Sequence, residues 1–401
     1  MTTAVAGKIP TAADLSRWES ADQAHRPDRL AGLRERMAGE GVGAYFGVRR
    51  ENTRYLTGFV LQEGEEKGAG NSGQFLISPD DVVVLADSRY FIQVGEQCPD
   101  ARMEKVYNTF PERWPELLAS VGSPRRVAME AGFISQAQWQ SLAAAAPDVE
   151  LVAANNWIET LRQVKTPDEI ERVAAACAVA DAALERLLST LMPGMTEREV
   201  ALALEWEMRT GGAEALAFGV TCLSGPRAAL PHGHPGERRL ASGEVLLFDF
   251  GAQVSGYRSD MTRTLFVGEP SSRDLEIYDL VARAQQAAMD ALTDVLAAGG
   301  PLPSGRALHI VARDVIAAAG HGDHFGHGLG HGIGLATHEL PGLGMSAADT
   351  PLPTPTVFTI EPGVYLEGEM GVRIEDTLAF DAAGGRFDRL TLFPREVTVV
   401  G

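Results

Sequence analysis

Four carboxylates and a crowd of histidines mark where this chain can do chemistry. The stretch from Phe248 to Thr264, FDFGAQVSGYRSDMTRT, reads as a β-hairpin. VLLFDF is apolar and rich in β-branched and aromatic residues, Val254, Ser255 and Gly256 supply a turn, and YRSDMTRTLFV returns. A turn centred between Val254 and Ser255 pairs Asp249 with Asp260. Carboxylates opposed across a hairpin repel, and burial drives at least one toward its neutral form unless a cation lies between them. Aspartate is also common beside turns, but Asp249 interrupts the apolar run away from the turn. The later segment FTIEPGVYLEGEMGVRIEDT repeats the pattern, since a turn centred on Gly368 sets Glu361 opposite Glu375.

Five of the nine histidines fall in HGDHFGHGLGHGIGLATHE, between His321 and His338. Glycines at 326, 328, 330, 332 and 334 argue against a helix and for backbone that approaches something closely. In an extended run His327 and His331 share a face about 13 Å apart, too far to bind one ion together. One imidazole then suits a metal ligand beside the four carboxylates and the others suit donors to substrate around the same cavity; taken singly, each is more readily a surface or satisfied residue, and it is the clustering that favours chemistry. Two Asp, two Glu and one His hold two divalent ions if two carboxylates bridge, with manganese, iron, cobalt and zinc all open.

The elements that must position these groups follow from pattern. Thr166 with Glu169, and Thr196 with Glu199, are capping boxes opening two helices, the first with Pro167 at its first position and the second ending near Gly211 and Gly212. Further helices are expected at about 272–298 and 304–319, so residues 161–401 read as an α+β domain. Residues 1–160 read as a smaller α/β domain. It begins with a loose tail to about residue 20 and a helix ending at Gly41. Strands are expected at 42–48, 74–78, 81–87, 126–130 and 149–154, with helices near 88–97, 112–121 and 135–145. The Gly- and Glu-rich stretch 61–73 is either a disordered excursion or a flap or subunit contact.

Composition narrows the setting. The 401 residues allow two domains. The 54 acidic against 35 basic residues give a net charge of -19 with no basic block, which disfavours nucleic acid and anionic membranes as partners. Cys98, Cys177 and Cys222 lack the spacing of a disulfide framework or a thiolate zinc site. With no signal-like N-terminal segment and no run of bilayer-spanning length, a cytoplasmic protein is expected.

Together DFGAxxxGYxSDMTRT, the HGLGHGIGLxxHE run, and EPGVY with GVRIED resemble the signature of the pita-bread metallopeptidases, in the branch containing prolidase and aminopeptidase P. The motifs cover the C-terminal domain in order, and the N-terminal α/β domain fits a creatinase/prolidase-like one. The resemblance implies two divalent ions: Asp249 on one, Asp260 and Glu375 bridging, and His331 with Glu361 on the other. It makes His327, His338 and His232 substrate-side histidines, with Arg373 beside a ligand carboxylate and within the substrate-binding set. Glu361 is the candidate proton shuttle. The implied reaction is hydrolysis of the Xaa-Pro bond of a small peptide, and the implied assembly is a homodimer. Some pita-bread proteins are non-catalytic binding modules, but their usual mark is loss of metal ligands, and all five positions are intact here.

Dipeptidase and aminopeptidase differ in what they require beyond the proline. A dipeptidase must hold the proline carboxylate with a cation, and arginine does so bidentately. Arg49, Arg50 and Arg54 in GVRRENTRYLTGF are either that clamp or a solvated surface cluster. A compact chain with these cations beside a long loop favours the dipeptidase, with the aminopeptidase as the alternative.

Overall fold

The computed structural model describes residues 3–4, 7–62, 64–65, 68–106 and 110–401. They divide into two compact units, Ser16–Leu161 on one side and Met1–Leu15 with Arg162–Gly401 on the other.

The smaller unit is built on a mixed six-stranded sheet, ordered Arg102–Lys105, Val82–Ala86, Phe75–Ile77, Ala44–Gly47, Arg126–Glu130 and Glu150–Ala154. Five of these strands fall where apolar β-rich runs place them. Arg102–Lys105, sequence RMEK, escapes that reading because an edge strand with only one paired side need not be apolar. The first helix also differs from expectation. It starts at Ala12 rather than beyond residue 20. Thr11 accepts from the Asp14 backbone N–H at 3.3 Å while Asp14 accepts from that of Thr11 at 3.0 Å, a reciprocal cap written in the sequence as TAAD. GVRRENTRYLTGF folds as a helix over Arg50–Thr57, closed by Gly58 at φ 85°. Of the stretch 61–73, residues 63, 66 and 67 lie outside the described residues, and Ala69 is buried with Phe59 and Tyr90.

In the larger unit the helices Pro167–Leu188, Glu197–Thr210 and Ser272–Ala298 each open on a capping box, and Ser304 caps Gly305–Ala318. Each such cap is worth about 1 kcal/mol. The last two helices pack apolar faces (Ile277, Val281, Ala288, Leu308, Ala312) against strand residues such as Leu247, Phe358 and Val372. Two sheets carry the chemistry-bearing residues. One is ordered Val399–Val400, Met261–Val267, Glu244–Phe250, Thr221–Ser224. The other runs Thr3–Ala4, Arg386–Arg389, Asp376–Asp381, Thr356–Ile360, Gly330–Gly332, Glu339–Leu343.

Register decides what faces what. In the first hairpin Asp249 pairs with Thr262 and Val254 with Tyr257, so the turn lies between Ser255 and Gly256, one residue later than expected. Both turn residues have positive φ, 47° and 81°, the geometry that suits a two-residue hairpin. Asp249 and Asp260 are therefore not direct partners. The slip is two positions along the returning strand, so side-chain alternation keeps both on one face. The second hairpin matches expectation: Gly363 pairs with Arg373 and Leu366 with Met370 around Gly368. The same register resumes where Ile360 pairs with Asp376, so Glu361 and Glu375 stand opposite each other between the two ladders.

Candidate metal centre

A cavity of about 630 Å³ opens in the larger unit, and Asp249, Asp260, His331, Glu361 and Glu375 all line it. His232, His327, His338 and Arg373 line it too. Ligand atoms of Asp260, His331 and Glu375 lie within 4.8 Å of one another. His331 Nε2 is 3.6 Å from Asp260 Oδ2 and 3.4 Å from Glu361 Oε1.

The arrangement is electrostatically unfavourable without a cation. Burial, then Glu375 and Asp249, push the Asp260 carboxyl well above its ordinary range. Burial and Glu375 do the same to Glu361, and burial with Asp249 lifts Glu375 to about 7. One oxygen on each of Asp249, Asp260 and Glu375 is buried without a hydrogen-bond partner. Unpaired buried acceptors of this kind are costly, so three of them around one cavity fit divalent cations held by four carboxylates and an imidazole.

The imidazoles are prepared as lone-pair donors. Burial, then His338, lowers His331 to about 4, and burial with Arg373 lowers His327 to about 4, so both are neutral at pH 7. His331 Nδ1 lies 3.1 Å from the Gly332 carbonyl, which takes its N–H and leaves the Nε2 lone pair toward Asp260 and Glu361. His327 is held differently. Its Nδ1–H meets the Gly328 carbonyl at 2.7 Å, and its Nε2 accepts from the Tyr365 hydroxyl at 2.9 Å. Both of its nitrogens are thus engaged by the protein, which conflicts with an N–H offered to substrate. His338 stands edge-on to His331 at 4.2 Å between ring centroids. His321 and His324 pair with each other on the surface, so the histidine segment is not one cluster; outside it, His309 packs on Phe325.

Arg373 organises the carboxylates. Its guanidinium donates to Asp249 at 2.5 Å, to Thr262 at 2.8 Å and to Tyr365 at 2.8 Å. Thr262 in turn donates to Glu375 at 2.7 Å, and Thr359 donates to Glu361 at 3.4 Å. Behind them Arg263, fully buried, pairs with Asp376 at 2.7 Å and donates to the Glu375 carbonyl. Sequence reasoning missed Thr262, Thr359, Tyr365 and Arg263. The visible signal was polar residues alternating inside apolar strands, as in MTRT and FTIE.

Arg49, Arg50 and Arg54 belong to the smaller unit. Arg49 pairs with Glu159 at 2.9 Å and Glu51 at 3.1 Å and lies over Phe133, while Arg50 pairs with Glu51 at 3.2 Å. Glu130, buried beside them, accepts from the Val48 and Arg49 backbone N–H groups at 2.6 Å and from Asn52 at 2.5 Å. Arg49 and Arg50 are thus ion-paired with carboxylates of their own unit.

Strands of two sheets thus bring four carboxylates and an imidazole into one cavity, a donor set that could hold divalent metal. Residues 171–382 match the model for metallopeptidase family M24, and residues 29–164 match the creatinase/prolidase N-terminal domain. An uncharacterized peptidase of Bacillus subtilis, YqhT, is 33% identical over 93% of this chain and 100% of its own length. Among solved structures, the Xaa-Pro dipeptidase from Bacillus anthracis superposes with TM-score 0.83 at 32% identity, covering 94% of this chain and 100% of that one. An X-Pro aminopeptidase from Thermotoga maritima gives TM-score 0.77 at 32% identity over 90% of this chain and 98% of that one. The chain belongs to metallopeptidase family M24, and it is a peptidase with a creatinase-type N-terminal domain and a pita-bread catalytic domain. Among the described residues no helix is long and apolar enough to cross a membrane.

Proposed function

We propose that this chain hydrolyses the Xaa-Pro bond with two divalent metal ions, acting chiefly on dipeptides. The observation that carries the reading is the convergence of five ligand-type side chains, three with unpartnered buried oxygens, on one cavity in a member of family M24. The Xaa-Pro dipeptidase among its structural relatives supports the substrate. Asp249 would hold one ion, Asp260 and Glu375 both, and His331 with Glu361 the other; manganese is the first candidate, with zinc, cobalt and iron behind it. Bound there, the ions would lower the pKa of water and polarise the scissile carbonyl.

The protein's own groups do the rest. Glu361 takes a proton from the attacking water on its carboxylate and delivers it to the proline nitrogen, which as a tertiary amide has no hydrogen of its own. His338 and His232 donate hydrogen bonds to the developing oxyanion and to the substrate backbone. His327, tied to Tyr365 and Gly328, lines the same cavity. Arg373 holds Asp249 and, through Thr262, Glu375 in place before substrate arrives. We further infer a cytoplasmic homodimer. Three free, buried cysteines support a reducing compartment, and the family resemblance supports the dimer, which light scattering at twice 42.8 kDa would establish.

A second reading, an aminopeptidase acting on longer Xaa-Pro peptides, is favoured by the likeness to the Thermotoga maritima enzyme. Cleavage of Ala-Pro, Ala-Pro-Ala and a longer Xaa-Pro peptide by manganese-loaded and chelated protein separates the two. Turnover of the dipeptide above the others, lost on chelation, is expected. Preference for the longer peptides would establish the aminopeptidase, and no metal-dependent cleavage of any would refute both.

A further inference from the structure

The free carboxylate of a dipeptide must enter a cavity lined by five acidic side chains, Glu205 and the four that would hold the ions, and a cation on its wall that is not committed to those four would receive it. Among the described residues lining the cavity there are two arginines, Arg198 and Arg373. Arg373 is 4% exposed and directs its guanidinium to Asp249, Thr262 and Tyr365. Arg198 is differently placed. Its side chain is 60% exposed and pairs with Glu237, itself 72% exposed, at 2.7 Å. An ion pair this exposed contributes little, so a carboxylate arriving in the cavity can replace Glu237 with small loss.

The backbone beneath Arg198 is nevertheless fixed. Glu197, fully buried, accepts from the Ser224 N–H at 2.8 Å, the Gly236 N–H at 3.0 Å and Arg227 at 3.0 Å. The Arg198 N–H itself donates to the Gly236 carbonyl at 3.1 Å. These bonds lock the first turn of helix Glu197–Thr210 to the segment that carries His232 and His234. A rooted backbone with an exposed guanidinium is what a clamp requires: the planar fork can meet a carboxylate bidentately while the wall stays still. Glu205, two turns further along the helix and roughly 10 Å away by helical rise, lines the same cavity, while the ion pair of Arg198 is with Glu237.

We propose that Arg198 is the specificity-determining residue that receives the free carboxylate of an Xaa-Pro dipeptide, releasing Glu237 as it does so. The proposal rests on the Xaa-Pro reading above. The experiment compares kcat/KM for Ala-Pro with that for Ala-Pro amide, which lacks the charge, in the manganese-loaded wild type, R198Q, R198K and E237Q. The wild type should favour Ala-Pro at least tenfold. R198Q should reduce that ratio at least tenfold, through KM. R198K should restore part of it, and E237Q should lower KM for Ala-Pro two- to fivefold. Equal losses on both substrates in R198Q, or a wild type indifferent to the amide, would overturn the clamp. So would loss of the preference in R49Q, R50Q or R54Q while R198Q retains it. A wild type that cleaves neither compound removes the Xaa-Pro reading itself, and the clamp with it.

Discussion

Substituting Glu339 tests how the site is supported from below. Its side chain is 1% exposed and meets two cations that are nearly as buried, Arg162 at 2% and Lys165 at 1%. One oxygen lies 2.9 Å from Lys165 Nζ, and the other is bound to Arg162 and accepts from the Ala336 N–H at 3.3 Å. Burial by itself would raise this carboxyl, but Arg162 and Lys165 outweigh it and hold the group below its usual range. Removing one partner of such a set leaves uncompensated charge in the interior, at a cost of about 3–5 kcal/mol. For a unit of this size that is a fall in Tm of roughly 6–20 °C. E339A should show it in urea or thermal unfolding, and adding K165M to E339Q should recover stability by removing one stranded cation. Because the Glu339–Ala336 bond closes the turn that presents His338, kcat should also fall about tenfold in E339Q under conditions where it remains folded. If E339A stays within about 1 kcal/mol of wild type, or K165M/E339Q is less stable than E339Q, the buried-charge reasoning is refuted.

Other perturbations probe separate links. D260N should lose bound metal, measured by elemental analysis, together with activity; retained metal at wild-type content would show that Asp260 is no ligand. H338A should keep metal and lose turnover by about 10²–10³, and normal kcat would remove His338 from the catalytic set. Asp181, partly buried and accepting from the Leu392 and Phe393 N–H groups, is raised from 3.8 to about 6 chiefly by loss of solvent. Between those values the native state binds more protons than the unfolded chain, so this group's contribution falls as pH rises. Unfolding free energies of wild type and D181N should therefore shift relative to each other by about 3 kcal/mol between pH 4 and 7, in favour of D181N at the higher pH; parallel pH profiles would exclude it. A Cβ at Gly332 would meet the Leu340 carbonyl oxygen at 2.1 Å, whereas Gly326 faces open space. G332A should destabilise by at least about 2 kcal/mol and G326A should be near neutral, with thermal melts deciding.

Much of this was legible where local chemistry left one solution. Gly368 could centre its hairpin because only glycine sits easily at φ 78°, so the facing of Glu361 and Glu375 could be read in advance. The aspartate hairpin was misread by one residue because Ser255, not a glycine, takes the first left-handed position. The helix from Ala12 was hidden by Pro27 in its interior and a polar surface, although its cap was written plainly. What stayed invisible was contact between distant segments. Nothing in the spacing of Tyr365 and His327 announces that the tyrosine hydroxyl would occupy the imidazole's second nitrogen. Nothing near residue 162 announces that Arg162 and Lys165 would close on a glutamate 177 and 174 positions away.

The unbroken register from the Ile360–Asp376 pair to the Gly363–Arg373 pair also bears on how the site comes into being. A slip of one residue in either ladder would turn one glutamate of the facing pair to the opposite side of the sheet. A chain that has collapsed with its strands misaligned therefore has no partial version of the centre to offer. Ion uptake during refolding should then appear only with the last correctly aligned molecules, making a bound metal a clock for strand alignment rather than for collapse.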